Sequence, residues 1–420
     1  MLHKFPYEDF PSVEVSQDNL AAIYKPVECP QREDESVILE KAIANPIGTD
    51  RLEKIVKAGM KIVIAVDDIT RSTRTELMLP LVLKQLALAK ISSKDISIFI
   101  AMGTHRQMTD REIKLKYTKE AVENYQIINP DWKIGSDYRS VGKSSDGFEI
   151  KIHKTVLDAD FVIGLGQTVP HMYAGFGGGG KIINPGCSDE QTIGQMHWLS
   201  HTIPSNQRFG VYDNKVRHLV NDVAVKSGLK FILNEVPAAD SKIAGAFAGD
   251  PIKAHRSACD FAAGLYVVKV QKADIVIADS YPADIDFWQS LKALYSAHFA
   301  VKKGGTLIFI TPCPEGVSSQ HPEIIQIGYK TGYEQIKNLV TDGKLSRVVA
   351  ANLWMGNEIL QNCEVIFVTK GISEKDIAAM GFQLAASPDT ALKAAIKKHR
   401  KDAKISILCG ASKIICQTAF

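Results

Sequence analysis

The feature that most limits how this chain can fold is a series of short Val- and Ile-rich runs, each nearly continuous in apolar residues and separated from the next by a longer amphipathic stretch. They fall at 61–66 (KIVIAV), 96–102 (ISIFIAM), 159–165 (ADFVIGL), 230–236 (KFILNEV), 273–279 (ADIVIAD), 305–310 (GTLIFI), 363–369 (CEVIFVT) and 404–409 (KISILC). Runs of this kind suit strands covered on both faces, and the stretches between them suit the crossover helices that parallel strands require. Helical spacing is clearest at 76–89, 110–124, 251–263, 286–301 and 388–400. The pattern predicts an α/β protein with mainly parallel sheets flanked by helices.

The first four runs form one group and the last four a second. The stretch 264–273, GLYVVKVQKA, lies between them and could itself hold a strand. A boundary near 270 gives two domains, 1–270 and 271–420, in keeping with a chain of 420 residues at about 150 residues per domain. Lys plus Arg is 50 against 47 Asp plus Glu, and the resulting charge of +3 is too small to imply a nucleic-acid surface. A small anion needs only a local cluster and stays compatible. The cysteines at 29, 187, 259, 313, 363, 409 and 416 form no CxxC pair, which suits reduced thiols. The start, MLHKFPYEDF, lacks the apolar core of a signal peptide, and no apolar run approaches the roughly 20 residues of a membrane span. A cytoplasmic protein with neither a nucleic-acid nor a membrane partner is expected.

Ligands of open α/β sheets bind beyond the carboxyl ends of strands. After 61–66 comes Asp67-Asp68-Ile69-Thr70-Arg71; after 96–102 comes Gly103-Thr104-His105-Arg106; after 159–165, past a short loop, comes Pro170-His171-Met172-Tyr173-Ala174-Gly175-Phe176, then Gly177 to Gly180, Lys181 and Asn184-Pro185-Gly186. Asp68 and Arg71 read either as a helix cap with a surface ion pair or as a polar seat in which Arg71 binds a carboxylate or phosphate. His105, directly after a strand, is a candidate proton-transfer group.

Gly175 to Lys181 fits the start of a phosphate-binding P-loop, yet Ile182 stands where that motif needs a hydroxyl. The glycines also fit a tight turn with positive φ, or a backbone that approaches a bulky ligand while Lys181 contacts or bonds to it. His197 and His201 are four apart on an expected helix with Ser188 as its cap, a zinc-pair spacing without the Glu of HExxH. A single ligating imidazole is the simpler reading. Gln289 and Lys292, three apart, could present a donor and a charge to one ligand.

Together these segments resemble the nickel-dependent lactate racemase family: DDITR at 67–71, GTHR at 103–106, HMYAGFGGGGK at 171–181 with NPG following, His197, and WQSLK at 288–292. Their order and separations match along nearly the whole chain. The resemblance implies two α/β domains with the active site in the cleft between them. It also implies a nickel pincer nucleotide, a pyridinium-3,5-bisthiocarboxylic acid mononucleotide that holds nickel through sulfur, carbon and sulfur. By the same likeness Lys181 carries the cofactor through a thioamide, and His197 is the protein's nickel ligand. Asp68, Ile69, Thr70 and Arg71 seat the nucleotide, and Trp354 packs near it. His105 and His171 are the paired acid/base residues, while Arg71, Trp288, Gln289 and Lys292 bind the substrate, a small 2-hydroxy carboxylate. Proteins that make or deliver the cofactor are implied as partners.

Two positions depart from the family pattern. Gly177 stands where Ser is typical, and Trp288 where Tyr is usual, so the substrate pocket can differ from one built for lactate. The reading is a racemase or epimerase of lactate or a related 2-hydroxy acid. Its alternatives are a P-loop-type hydrolase and a cofactor-binding homologue without turnover, the latter disfavoured by the presence of both histidines.

Overall fold

The computed structural model of the chain describes residues 1–29, 33–145 and 147–418. It divides into two compact units: Cys29–Leu265, and a second made of Tyr266–Phe420 together with Met1–Glu28. The membership of the first 28 residues corrects a single cut at 270. Leu20–Tyr24 is a parallel strand beside Ile405–Leu408, held there by the Asn19 amide on the carbonyls of Lys401 and Ala403 at 2.7 and 2.9 Å. Its sequence, LAAIY, is only half-buried and pairs with a segment near the other end of the chain, so no local pattern announces it.

In the unit 29–265 the sheet runs in the order Ile243–Gly249, Leu229–Pro237, Phe161–Gln167, Ile62–Val66, Ile96–Ile100, Gln126–Ile128. All neighbours are parallel except the antiparallel pair of Leu229–Pro237 with Ile243–Gly249. All five residues of Ile62–Val66 are buried, as the continuous apolar run predicts. The helix Thr75–Leu88 covers one face with Met78, Leu79, Val82, Leu83 and Leu86, spaced for one helical stripe. Each such fully buried side chain contributes about 1.5–3 kcal/mol.

The direction of winding reverses at the strand Ile62–Val66. The chain first moves outward through Ile96–Ile100 and Gln126–Ile128, then returns to build the other half from Phe161–Gln167. At such a switch the loops leaving the carboxyl ends diverge and open a crevice. Here those loops begin at Asp67 and Thr168.

The second unit's sheet is parallel throughout, in the order Gln383–Leu384, Glu364–Val368, Val301–Ile310, Ala273–Asp279, Ile405–Leu408, Leu20–Tyr24. Val267–Val270, inside the stretch read as a boundary, is a strand paired with Ile415–Thr418. The helical segment expected at 110–124 is two helices, Asp110–Lys116 and Lys119–Asn124, because Thr118 caps the second through its hydroxyl on the Ala121 N–H. Among the described residues no helix is long and apolar enough to cross a membrane.

Candidate functional site

The register Val66↔Ile100 brings two of the sequence motifs to one end of the sheet. Asp68, 3% exposed, accepts from both the Thr70 hydroxyl at 2.5 Å and the Thr70 N–H at 3.0 Å. Its other oxygen lies 2.6 Å from Nδ1 of His105. The Thr70 hydroxyl also receives Nη1 of Arg71 at 2.7 Å. Burial alone pushes the Asp68 carboxyl up, but the His105 imidazole, the Arg71 guanidinium and the Thr70 hydroxyl outweigh it and hold the group well below the usual carboxylate range. Asp68, Thr70, Arg71 and His105 therefore form one hydrogen-bonded set. The bland alternative of a helix cap is excluded for Asp68, since the following helix begins at Thr75 with Arg74 at its cap. Ile69 is half-buried and packs against the hydrophobic core.

Both loops are fastened to one short helix, Asp110–Lys116, that carries none of the sequence motifs. Glu112 of Asp110–Lys116 takes Nη1 and Nη2 of Arg106 at 2.9 and 2.7 Å, which anchors the residue after His105. Lys116 donates to the carbonyls of Arg71 and Thr73, and the Tyr117 hydroxyl to the carbonyl of Asp67. Behind the loop lies Glu235, fully buried at the end of Leu229–Pro237, with one oxygen on the Arg74 N–H at 3.1 Å.

Burial pushes the Glu235 carboxyl up to about 8, against the pull of the Arg74 N–H and the Lys116 ammonium. The folded protein thus keeps this proton through neutral pH, whereas the unfolded chain releases it near 4.5. Between those values the native state binds more protons, so stability falls as pH rises, by up to about 1.4 kcal/mol per pH unit from this group. Glu235→Gln, which keeps an acceptor for Arg74, is expected to remove that slope. Urea unfolding of both proteins at pH 5 and pH 8 measures it, and equal slopes would count against a neutral Glu235.

The third motif folds into the loops after Phe161–Gln167. His171, 8% exposed, pairs in a two-residue strand with Gly175, and its Nδ1 accepts the N–H groups of Tyr173 and Ala174 at 3.2 and 3.3 Å. The Tyr173 ring lies 5.5 Å from that of His171 and 4.8 Å from that of His197, linking the two histidines through a buried aromatic. His197 sits on the helix Glu190–Leu199, whose cap is Asp189 rather than Ser188; the Ser188 hydroxyl is turned to the Ile183 carbonyl. His201 puts Nδ1 on the Trp198 carbonyl and lies tilted against that indole, so the pair spacing does not make a two-histidine site. Among the described residues no three His, Cys, Asp or Glu side chains come together as a metal cage.

Lys181 lies in the single 3-10 turn Gly179–Ile182. Gly178 has φ +75°, and a Cβ there would stand 2.7 Å from the Thr168 hydroxyl and 2.8 Å from the Asn234 amide oxygen. Gly179 has φ +58° and would meet the His255 ring at 2.5 Å. Glycine is thus required at both positions for conformation and for space.

The segment is held by buried groups that sequence reading missed. Asn234 accepts the Gly179 N–H at 2.7 Å, and His255 donates from Nε2 to the Gly177 carbonyl at 2.7 Å. Fully buried Arg217 donates to the carbonyls of Gly178, Ala174 and Phe176, and buried Arg208 to those of Met172, Ser200 and Ile203. Ile182 is a core residue that fills the space over Gly164, and only a short turn follows Lys181. A P-loop's hydroxyl and its long helix are both missing, which removes the hydrolase reading.

The remaining candidates belong to the other unit. Asp286 caps the helix Phe287–Ala297 through the Gln289 N–H, and the Lys292 ammonium donates to the Gln289 side-chain oxygen. Trp288 stacks on buried His321 with centroids 4.2 Å apart. Trp354, on the helix Arg347–Asn362, stacks on Tyr333 at 4.0 Å under the Lys337 ammonium. The two helices are tied by the Tyr295 hydroxyl on Glu358 at 2.8 Å.

Fold and site define a class of α/β protein: two parallel-sheet units, one of which gathers charged and imidazole side chains beyond the carboxyl ends of its strands. Residues 8–210 match the lactate racemase N-terminal domain and residues 268–415 the lactate racemase C-terminal domain. The chain belongs to the lactate racemase family. It is 32% identical over 385 residues to the lactate racemase of Thermoanaerobacterium thermosaccharolyticum, covering 89% of this chain and 88% of that one. Against the lactate racemase of Lactiplantibacillus plantarum it is 29% identical over 380 residues, 89% of each. The solved lactate racemase apoprotein from T. thermosaccharolyticum superposes with a TM-score of 0.88 at 29% identity, over 99% of this chain and 100% of that one. A Thermotoga maritima protein shares the fold at a TM-score of 0.71 and 20% identity, over 92% and 97% of the two chains.

Proposed function

We propose that the protein interconverts the stereoisomers of a 2-hydroxy carboxylate, as a racemase or epimerase, with lactate as the first substrate to test. The observation that carries this reading is the 2.6 Å pairing of His105 with Asp68 beside Arg71 at the sheet's switch point, in a chain of this family. The proton on the α carbon is poorly acidic because the neighbouring carboxylate is already negative. Its loss as hydride, coupled to transfer of the hydroxyl proton, avoids a carbanion and gives a 2-keto acid.

The ionised Asp68 draws the proton of His105 to Nδ1 and makes Nε2 the nitrogen that takes the hydroxyl proton. His171 is held in the opposite sense, since its Nδ1 accepts two backbone N–H groups and Nε2 carries the proton of the neutral ring. One acceptor and one donor suit a reaction that works on both enantiomers. In this reading Arg71 binds the substrate carboxylate, a positioning role, and Gln289, Lys292 and Trp288 are the substrate-binding candidates of the other unit.

The family's nickel pincer nucleotide, when bound, supplies the hydride acceptor. The residues present fit such a group. Lys181 follows Gly178, Gly179 and Gly180, at each of which a Cβ would meet a neighbouring atom closer than 3.0 Å. Three residues on, the fully buried Asn184 amide makes no hydrogen bond among the described residues, a capacity that a bound polar group can satisfy. In this reading Lys181 is the attachment point, His197 the nickel ligand, Asp68 to Arg71 the nucleotide seat, and Trp354 an aromatic neighbour.

The test is turnover by protein produced in a host that makes the cofactor, with nickel content and intact mass measured on the same sample. Loaded protein is expected to racemise or epimerise at least one chiral 2-hydroxy acid, and to lose that activity when nickel is removed by a chelator. A panel of such acids left at unchanged optical rotation by nickel-loaded protein would sink the proposal.

A further inference from the structure

The loop that carries Arg71 rests on a lysine withdrawn from water. Lys116 is 8% exposed, and its ammonium donates to the carbonyls of Arg71 at 2.5 Å and Thr73 at 3.0 Å. Burying an ammonium is unfavourable unless it is paired and hydrogen-bonded. Here burial lowers its proton affinity against the pull of Asp67, Asp68 and Glu76. Capping two carbonyls needs no charge, since a neutral amide or water would serve. The buried charge is set instead among the carboxylates under the loop, where it resists displacement.

One turn earlier on the same helix, Glu112 grips Arg106 with both oxygens. Residues 112 and 116 are four apart and share a helical face. A single short helix therefore holds the Asp68–Arg71 loop and the His105 loop in fixed relation.

We propose that Lys116 is a positioning residue for the reaction: by gripping the peptide carbonyls on either side of Ser72, it sets the aim of the Arg71 guanidinium at the substrate carboxylate. The inference rests on the functional reading above, in which Arg71 binds that carboxylate. A displacement of about 1 Å in such a group is enough to cost a large factor in rate or binding.

The experiment uses cofactor-loaded wild type, Lys116→Met, Arg71→Ala and the double variant, with lactate as the probe. Lys116→Met is expected to raise KM about tenfold while kcat falls less than about threefold, at unchanged adduct mass on Lys181. In the Arg71→Ala background the same change is expected to add less than about twofold, because the group it positions is gone. Lys116→Arg, which keeps the charge and its donors, is expected to bring KM back to within about threefold of wild type. Additive effects in the two backgrounds, or an unchanged KM, overturn the assignment.

If Lys116→Met fails to fold, Lys116→Ala takes its place in the same comparison. The Nε–H resonance of Arg71 in the 15N spectrum of the apoprotein gives a reading that needs no turnover: it is expected to shift and broaden in the variant. An unchanged resonance overturns the positioning role. Wild type that carries the adduct and turns over no 2-hydroxy acid sinks the functional reading alone.

Discussion

Lys181→Ala is expected to give a folded protein that gains no mass beyond its own chain when produced in a host making the nickel pincer nucleotide, and whose turnover falls below about one part in a thousand of wild type. The fold should persist because the main chain of Gly177, Gly178 and Gly179 is held by His255, Arg217 and Asn234, contacts that a change of the lysine side chain leaves in place. The chemistry should not persist, since the hydride would have no acceptor. Lys181→Arg separates charge from covalency: it keeps the cation and cannot form the thioamide, so it is expected to fail as completely as Ala. Intact-mass spectra with nickel analysis read both variants. Full activity in either one, or an active wild type without an adduct, would refute the tethered-cofactor mechanism.

His105→Gln is expected to keep the fold and the adduct while lowering kcat by about 10²–10⁴, the usual worth of a positioned acid/base group. The glutamine amide can still hydrogen-bond to Asp68 but cannot take a proton. Asp68→Asn should lower kcat for a related reason, because a neutral amide no longer holds the imidazole proton on Nδ1. The Asp68 carboxyl is held well below its ordinary range by His105, Arg71 and Thr70, so acidification alone should not mimic this variant above about pH 4. His171→Ala is expected to match His105→Gln if both imidazoles move protons. Undiminished turnover at either position, with the adduct intact, would remove that residue from the mechanism.

The strands that were legible in the sequence are those buried on both faces, because only there does the apolar run become continuous. Ile243–Gly249 reads IAGAFAG, too rich in small residues to stand out, and it enters the sheet by pairing with Leu229–Pro237. The helix Arg347–Asn362 is buried on most of its surface, which blurs the polar face that would betray its period. The site followed the same logic. Asp68, Thr70, Arg71 and His105 were visible because each follows a legible strand, and their meeting depends only on two neighbouring strands in register.

What stayed hidden is the support. Lys116, Arg208, Arg217 and Glu235 are charged residue types, which a sequence reading assigns to solvent, yet each is buried here. Their partners are loop carbonyls, an N–H group and distant carboxylates, relations that exist only after folding. The domain cut missed the N-terminal strand for a similar reason: its partner lies hundreds of residues away.

That strand has a practical meaning for anyone dividing the molecule. A fragment starting at Tyr266 would leave Ile405–Leu408 with one side of its hydrogen-bonding ladder bare, an open edge of the kind that recruits other chains and aggregates. The C-terminal unit is completed by a segment that precedes the other unit in the chain, so Leu20–Tyr24 cannot take its place in the sheet until Ile405–Leu408, hundreds of residues later, has been made.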